Sequence, residues 1–321
     1  MDNLAIIESE LKAKNVLARP QYRNIMCSIS GGSDSDIILD LCERFRPPNK
    51  NIHYVFFDTG LEYKATKDHL DYLENKYNIK IERIRPKKTL PVAVKEYGQP
   101  FLSKEVSENI EALQRHNFNF TDIKYEEMLS MGIPKSSCDW WCNIGKMKSY
   151  SVRSNKHLKE FLILNPPNFK ISAKCCYHTK KSLSKKYIKE NDIDLKIMGV
   201  RKSEGGVRAT AYKNCFSSYE NKTDEWRPAF YYTNDDKLEY KNKFNIKNSD
   251  CYEIYGLKRT GCTGCPFNRN IISELDIINN FEPKLYKASR NIFKDTYEYT
   301  KQFREFQAER KGKPDKYYSE V

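Results

Sequence analysis

Asn24-Ile25-Met26-Cys27-Ser28-Ile29-Ser30-Gly31-Gly32-Ser33-Asp34-Ser35, followed by Asp36–Phe45 (DIILDLCERF), decides the fold of this 321-residue chain. The first six residues form a short apolar run that predicts a strand. A Gly-rich loop follows, and then apolar residues recur at helical spacing until Pro47-Pro48 stops them. Reading outward, residues 2–17 predict a preceding amphipathic helix. Ile52–Phe57 (IHYVFF) predicts a second strand, ended by Asp58-Thr59-Gly60. Residues 62–77 predict a helix with Leu70 and Leu73 on one face, and Ile79–Ile84 a third strand. Strands alternating with helices imply right-handed crossovers and parallel pairing. The expected class is α/β: a Rossmann-like, doubly wound, mostly parallel sheet with helices on both faces, plus a helical C-terminal region.

The middle of the chain is less regular. Residues 104–115 predict a helix, 116–142 mix helix and loop, and 143–163 predict helix again, broken by Asn165-Pro166-Pro167. Asp194–Val200 predicts a fourth strand, followed by the charged loop Arg201–Arg208. Residues 217–250 are polar and Tyr-rich and read as an insertion. Residues 271–308 predict two helices before a basic, disordered tail containing KGKPDK. Two domains are expected. Residues 1–210 form the α/β domain with a helical insertion at about 100–170. Residues 211–321 hold the Tyr-rich insertion, a Cys-x-x-Cys loop and the C-terminal helices.

Lys and Arg outnumber Asp and Glu by 56 to 43, a net charge of +13, while 39% of residues are hydrophobic. The composition is globular, and the spread basic excess suits an anionic partner: a nucleotide, RNA or DNA. No apolar run has the length of a membrane span, and the N-terminus lacks a basic segment followed by an apolar one. A cytoplasmic protein with no membrane partner is expected. Ten cysteines in such a compartment argue for metal ligation, catalysis or burial in place of disulfides. Cys27, Cys42 and Cys251 stand in apolar surroundings that predict burial.

A Gly-rich loop between a strand and a helix offers several backbone N–H groups to an anion, and the helix terminus adds favourable partial charge. Gly31 and Gly32 allow close approach, and Ser30, Ser33 and Ser35 can donate hydroxyls. Asp34 needs a cation or a particular loop geometry if a phosphate is to sit beside it. The Walker spacing is absent. The run resembles instead the PP-loop motif S-G-G-x-D-S of the adenine nucleotide α-hydrolase-like superfamily, matching all six positions. That superfamily includes ATP pyrophosphatases, tRNA thiolation enzymes and sulfonucleotide reductases. The resemblance implies ATP or another adenine nucleotide as ligand, with Mg2+ compatible. Asp58 ends a strand beside the first loop, where a carboxylate can meet a ribose, an adenine or a metal. Val55-Phe56-Phe57-Asp58-Thr59-Gly60-Leu61-Glu62 is similar to the strand and D-T-G of the phosphoadenylyl-sulfate (PAPS) reductase family, which places Asp58 and Gly60 at the nucleotide.

Cys175-Cys176 and Cys262-Thr263-Gly264-Cys265 are two cysteine pairs. A C-x-x-C turn can bring two thiolates to one metal, and a second pair can complete a four-thiolate set; iron–sulfur, zinc and unmetallated thiols all remain open on that ground. The two pairs resemble the ligands of assimilatory sulfonucleotide reductases, which carry C-C-x-x-R-K, a long interval, then C-x-x-C. The resemblance implies a 4Fe-4S cluster on Cys175, Cys176, Cys262 and Cys265. Lys180 falls on that family's Lys, which stabilises substrate and cluster charge, while Thr179 replaces its Arg. Arg201 and Arg208 flank the loop where the family holds phosphate or sulfate, a role suited to the planar guanidinium.

The family's C-terminal E-C-G-type nucleophile has no counterpart, since no cysteine follows Cys265. Cys138, Cys142 and Cys215 remain as thiol candidates. Cys138 and Cys142 lie in Ser137-Cys138-Asp139-Trp140-Trp141-Cys142 near an expected helix start, where a thiol's pKa would fall. Cys142 and Lys180 are the expected catalytic residues. The favoured function is ATP-dependent, adenylating, pyrophosphate-releasing sulfur transfer to a nucleic acid or small acceptor, served by a sulfur-donor or electron-donor protein. The alternatives are a sulfonucleotide reductase with a non-standard thiol and a non-catalytic nucleotide-sensing regulator.

Overall fold

The computed structural model describes residues 3–144, 150–205, 211–220 and 222–313. It divides into two compact units, Met1–Lys87 with Thr179–Thr263, and Lys88–His178 with Gly264–Val321. This differs from the expected boundary at residue 210, and the packing of each unit gives the reason.

The first unit carries a six-stranded sheet in the order β3-β2-β1-β4-β6-β5. Its strands are β1 (Asn24–Ile29), β2 (Asn51–Phe57), β3 (Ile81–Ile84), β4 (Leu195–Met198), β5 (Phe216–Ser217) and β6 (Asp224–Trp226). β1 pairs in parallel with both β2 and β4, β2 with β3, and β4 with β6; only β5 runs antiparallel, against β6. The expected doubly wound, mostly parallel sheet is therefore present. Residues 217–250 are not an insertion, because β5 and β6 extend the sheet edge. That pairing places the segment with the first unit.

Strand residues alternate between two faces, as a period of two requires. Ile25, Cys27 and Ile29 pack with Tyr54 and Phe56 against α1 (Leu4–Leu17), α2 (Ser33–Phe45) and α3 (Lys64–Tyr77). Met26 and Val55 face the other way, toward Tyr187 and Ile193. Tyr187 belongs to the helix Ser182–Glu190, so helices cover both faces. Cys27, Cys42 and Cys251 are fully buried, as expected. α1 is capped by the Asn3 side chain, which accepts from the N–H groups of Ala5 and Ile6. α3 ends on Asn78 in the left-handed region.

The second unit is helical around an aromatic core that includes Phe101, Trp140, Trp141, Phe161, Tyr299 and Phe303. Tyr299 and Phe303 lie on the long helix Lys294–Glu309, so the C-terminal helices complete the core of the 88–178 segment. Three helices, not two, occupy 271–309: Ile271–Phe281, Pro283–Ile292 and Lys294–Glu309. Pro283 starts the second of them, where its missing N–H costs nothing. The continuous helix expected at 143–163 is instead a short 3-10 turn, Val152–Ser154, and a helix, Leu158–Leu164, with 145–149 outside the described residues. Among the described residues no helix is long and apolar enough to cross a membrane.

Candidate functional site

In the first unit the strand order reverses at β1, which has β2 on one side and β4 on the other. Such a switch point opens a crevice at the strands' C-terminal ends, where open α/β sheets bind ligands. The chain leaves β1 there as Ser30–Ser35 and enters α2. Gly31 has φ +66°, and a Cβ on it would lie 2.6 Å from Thr66 Cγ2, so glycine is required. Ser35 Oγ accepts from Gly32 N–H at 3.1 Å and donates to the Gly32 carbonyl at 2.7 Å, closing the turn on itself. Ser30 Oγ donates to Ser35 Oγ at 3.2 Å. These bonds close the loop at the N-terminus of α2.

Two cations meet Asp34. Arg201 Nε donates to Asp34 Oδ1 at 2.9 Å, and Lys237 Nζ lies 3.5 Å from the same oxygen. Arg201 Nη1 also donates to Ser203 Oγ at 2.8 Å, to the carbonyls of Tyr232 and Thr233, and to Asn234 Oδ1. Arg201 was expected at the ligand's phosphate or sulfate. In this structure its buried guanidinium braces the loop to the start of the helix Asn234–Lys243. Gly199 lets the end of β4 approach the loop, because a Cβ there would stand 2.9 Å from Asp34 C and Ser35 N. Arg208 lies outside the described residues.

Beneath the loop lies a network that composition alone does not disclose. Lys241 Nζ donates to Ser33 Oγ at 3.1 Å and to Asn248 Oδ1, and lies 3.6 Å from Asp36 Oδ2. Asp36 is fully buried and hydrogen-bonded to His69 Nε2 at 3.0 Å. Burial lowers the Lys241 ammonium pKa, partly opposed by Asp36. Tyr252 OH accepts from Ser33 N–H at 3.4 Å.

The end of β2 forms a second patch in the same unit. Gly60 N–H donates to Asp58 Oδ1 at 2.9 Å and to Glu62 Oε2 at 3.1 Å, and Thr59 Oγ1 donates to Glu62 Oε1 at 2.8 Å. Burial raises the Glu62 carboxyl, against the pull of Lys180, whose Nζ lies 3.5 Å from Oε1. Asp58 is also pushed up by burial, but hydrogen bonds from the Glu62 carboxyl, Gly60 and Arg85 outweigh this and hold it low. Cys262 joins here: it bridges to Glu62 through the backbone, Thr263 N–H donates to the Leu61 carbonyl at 2.6 Å, and the thiol lies 3.4 Å from Thr59 Oγ1. Thus Asp58, Gly60, Lys180 and Cys262 are brought together, with Glu62 as the member that the sequence reading did not assign. Glu62 is visible as the acid four positions after Asp58 in D-T-G-L-E, without a sign of its burial.

Cys175, Cys176 and Cys265 belong to the second unit. Cys175 is buried, and His178 stacks flat on Tyr97, with centroids 4.4 Å apart. Burial, then Lys88, lowers the His178 pKa and favours the neutral ring. Gly264, with φ +65°, fits against Tyr297 and Ser289, and the Tyr297 hydroxyl donates to its carbonyl. None of the ten cysteines is in a disulfide. Among the described residues no three His, Cys, Asp or Glu side chains gather as they would around a metal ion. The fit of a cluster to these four cysteines is one of donor chemistry and spacing.

Cys142 is not at a helix start. It is the last residue of Lys135–Cys142, where the helix dipole opposes a thiolate. Burial raises its pKa and that of Cys138, and Cys142 Sγ rests 3.8 Å from Met128 Sδ. The helix N-terminus expected to activate Cys142 is therefore not at that residue.

Residues 24–121 match the family described as phosphoadenosine phosphosulfate reductase domain. This segment is PAPS reductase-like. It contains the Gly-rich loop Ser30–Ser35 and Asp58-Thr59-Gly60, and it ends well before either cysteine pair. An uncharacterized protein of Methanocaldococcus jannaschii is 25% identical over 273 residues, which are 84% of this chain and 42% of that protein. The chain thus spans less than half the length of that relative. Among solved structures, a PAPS reductase from Candida auris in a phosphate complex shares 14% identity at a TM-score of 0.41, covering 79% of this chain and 87% of its own. The U34-tRNA thiolase NcsA from Methanococcus maripaludis, with its [4Fe-4S] cluster, shares 13% at 0.40, covering 91% and 79%. An NH3-dependent NAD synthetase from Campylobacter jejuni shares 13% at 0.41, covering 92% and 94%. Likeness at this level fixes no residue's role in this chain.

Proposed function

We propose that this chain is an adenine-nucleotide-binding enzyme that activates an acceptor oxygen with ATP and then exchanges it for sulfur. The observation that carries the reading is the Ser30–Ser35 loop, a closed turn at the N-terminus of α2 whose Asp34 is neutralised by Arg201 and Lys237. An acceptor oxygen attacks the α-phosphorus, the bond to the bridging oxygen breaks, and pyrophosphate leaves. A sulfur nucleophile then attacks the activated carbon and AMP leaves. The N-terminus of α2 stabilises the negative charge that accumulates on the departing pyrophosphate. Lys180, oriented by Glu62, meets anionic charge at the end of β2. RNA or DNA as acceptor agrees with the net charge of +13, and a separate donor protein would supply the sulfur.

A 4Fe-4S cluster on Cys175, Cys176, Cys262 and Cys265 forms part of this proposal, supported by the pairing of a vicinal and a C-x-x-C motif. Cys175→Ser and Cys262→Ser should each abolish iron incorporation during anaerobic purification. Retention of full iron by both variants overturns the cluster.

The test of activity is ATP–pyrophosphate exchange, with and without RNA or DNA. Lys180→Ala should lower it about 10²-fold or more. A second reading, sulfonucleotide reduction, is favoured by Lys180 and Cys262 sharing the Glu62 patch. Sulfite release from a sulfonucleotide, with no pyrophosphate exchange, would replace the first reading by the second.

A further inference from the structure

Lys237 and Lys241 lie one turn apart on the helix Asn234–Lys243, and so on one face. Their ammonium groups reach the phosphate loop at successive positions, Lys237 at Asp34 and Lys241 at Ser33 and Asp36. The helix is placed deliberately: Thr233 caps it, accepting from Asp236 N–H at 3.1 Å, and Arg201 ties its first residues to Asp34. Asn3 fixes its outer side through Asp236.

Among the described residues, Arg201, Lys237 and Lys241 pair with Asp34 and Asp36, and Glu204 accepts from the Arg201 backbone N–H. The Lys241 side chain is only 6% exposed and that of Arg201 5%, so water does little for either head group. Lys237 adds to the burden on Lys241 by like-charge repulsion. Buried positive charge is costly, and an anion beside it offsets the cost. The site is also the end of α2 that favours anions.

We propose that Lys237 and Lys241 are polyphosphate ligands, held by Asp34, Asp36 and Ser33 until the nucleotide's terminal phosphates take over their ammonium groups. This assignment rests on the nucleotide reading above and deepens it: the pair selects nucleoside triphosphate and pyrophosphate over nucleoside monophosphate. Two ammonium groups about one helical turn apart match a chain of several phosphates better than a single one.

The experiment is calorimetric titration of the full chain and its variants with ATP, AMP and inorganic pyrophosphate separately. Lys237→Met and Lys241→Met should each weaken ATP and pyrophosphate at least about tenfold. AMP affinity should stay within about twofold of the unaltered chain. Lys237 is the more exposed, so its variant tests the idea even if loss of Lys241 perturbs the fold. Lys241→Arg should recover part of the lost ATP affinity. Unchanged ATP affinity in both Met variants overturns the assignment, as does an equal fall for AMP, which would mark a purely structural role. An unaltered chain that binds neither ATP nor AMP refutes the nucleotide reading itself, a separate outcome.

Discussion

Gly199 is the residue at which sequence and site meet most closely. β4 can end beside the first turn of α2 only because no side chain intervenes there. Gly199→Ala should push the loop outward, costing about 1–3 kcal/mol of stability and weakening ATP binding. Chemical denaturation and nucleotide titration of the same variant check both. Gly264→Ala meets two obstacles, a positive φ and a contact of 2.5 Å with the Tyr297 hydroxyl. It should lose about 1–3 kcal/mol and displace the Cys262–Cys265 turn. The thiols of Cys138 and Cys142 titrate above the ordinary thiol range because they are buried. At neutral pH they are therefore protonated, and thiolate appears only as pH rises past that range. Alkylation followed by mass spectrometry should label both more slowly than an exposed thiol at neutral pH, with the gap closing in alkali. Faster labelling of Cys142 would restore it as a nucleophile.

Among the elements, the helix Asn234–Lys243 changes most in meaning. Its sequence, NDDKLEYKNK, is polar nearly throughout, and no apolar stripe distinguishes a packed face. What it packs is Tyr240, whose hydroxyl donates to Asp40 Oδ2 at 2.6 Å, and the buried stem and head of Lys241. A polar helix that buries a lysine escapes a reading based on hydrophobic period. β5 and β6 escape it for another reason: at two and three residues they are too short for alternation to show. By contrast α2 was legible from both ends. Its apolar spacing places Ile37, Ile38, Leu41 and Cys42 in the core, and the Gly-rich turn before it supplies a start. Ile38→Ala should cost about 2–5 kcal/mol through the cavity it leaves, measured by denaturant unfolding.

For the whole molecule, the proposed function links nucleotide binding to stability. A ligand that binds only the folded first unit at about 100 times its Kd adds roughly 2.7 kcal/mol. Hydrogen exchange with saturating ATP should show new protection at 30–36, 199–201 and 234–241, and an absence of any change would refute binding. The sequence by itself determined the parallel α/β sheet, the position of the Gly-rich loop and the D-T-G strand end. Those features are local: a period of two or of 3.6, a glycine turn and a helix stop lie within short stretches of chain. Only the tertiary structure decided that Arg201 braces Asp34, that Lys241 lies under Ser33, and that Glu62 stands between Lys180 and Cys262. Each of those contacts joins residues more than a hundred positions apart. Their partners are chosen by which strand lies beside which and by which helix covers the strand ends, and no local pattern carries that information. The same cause moved the unit boundary from 210: pairing at a sheet edge and aromatic packing on Lys294–Glu309 decide it, through contacts between distant segments.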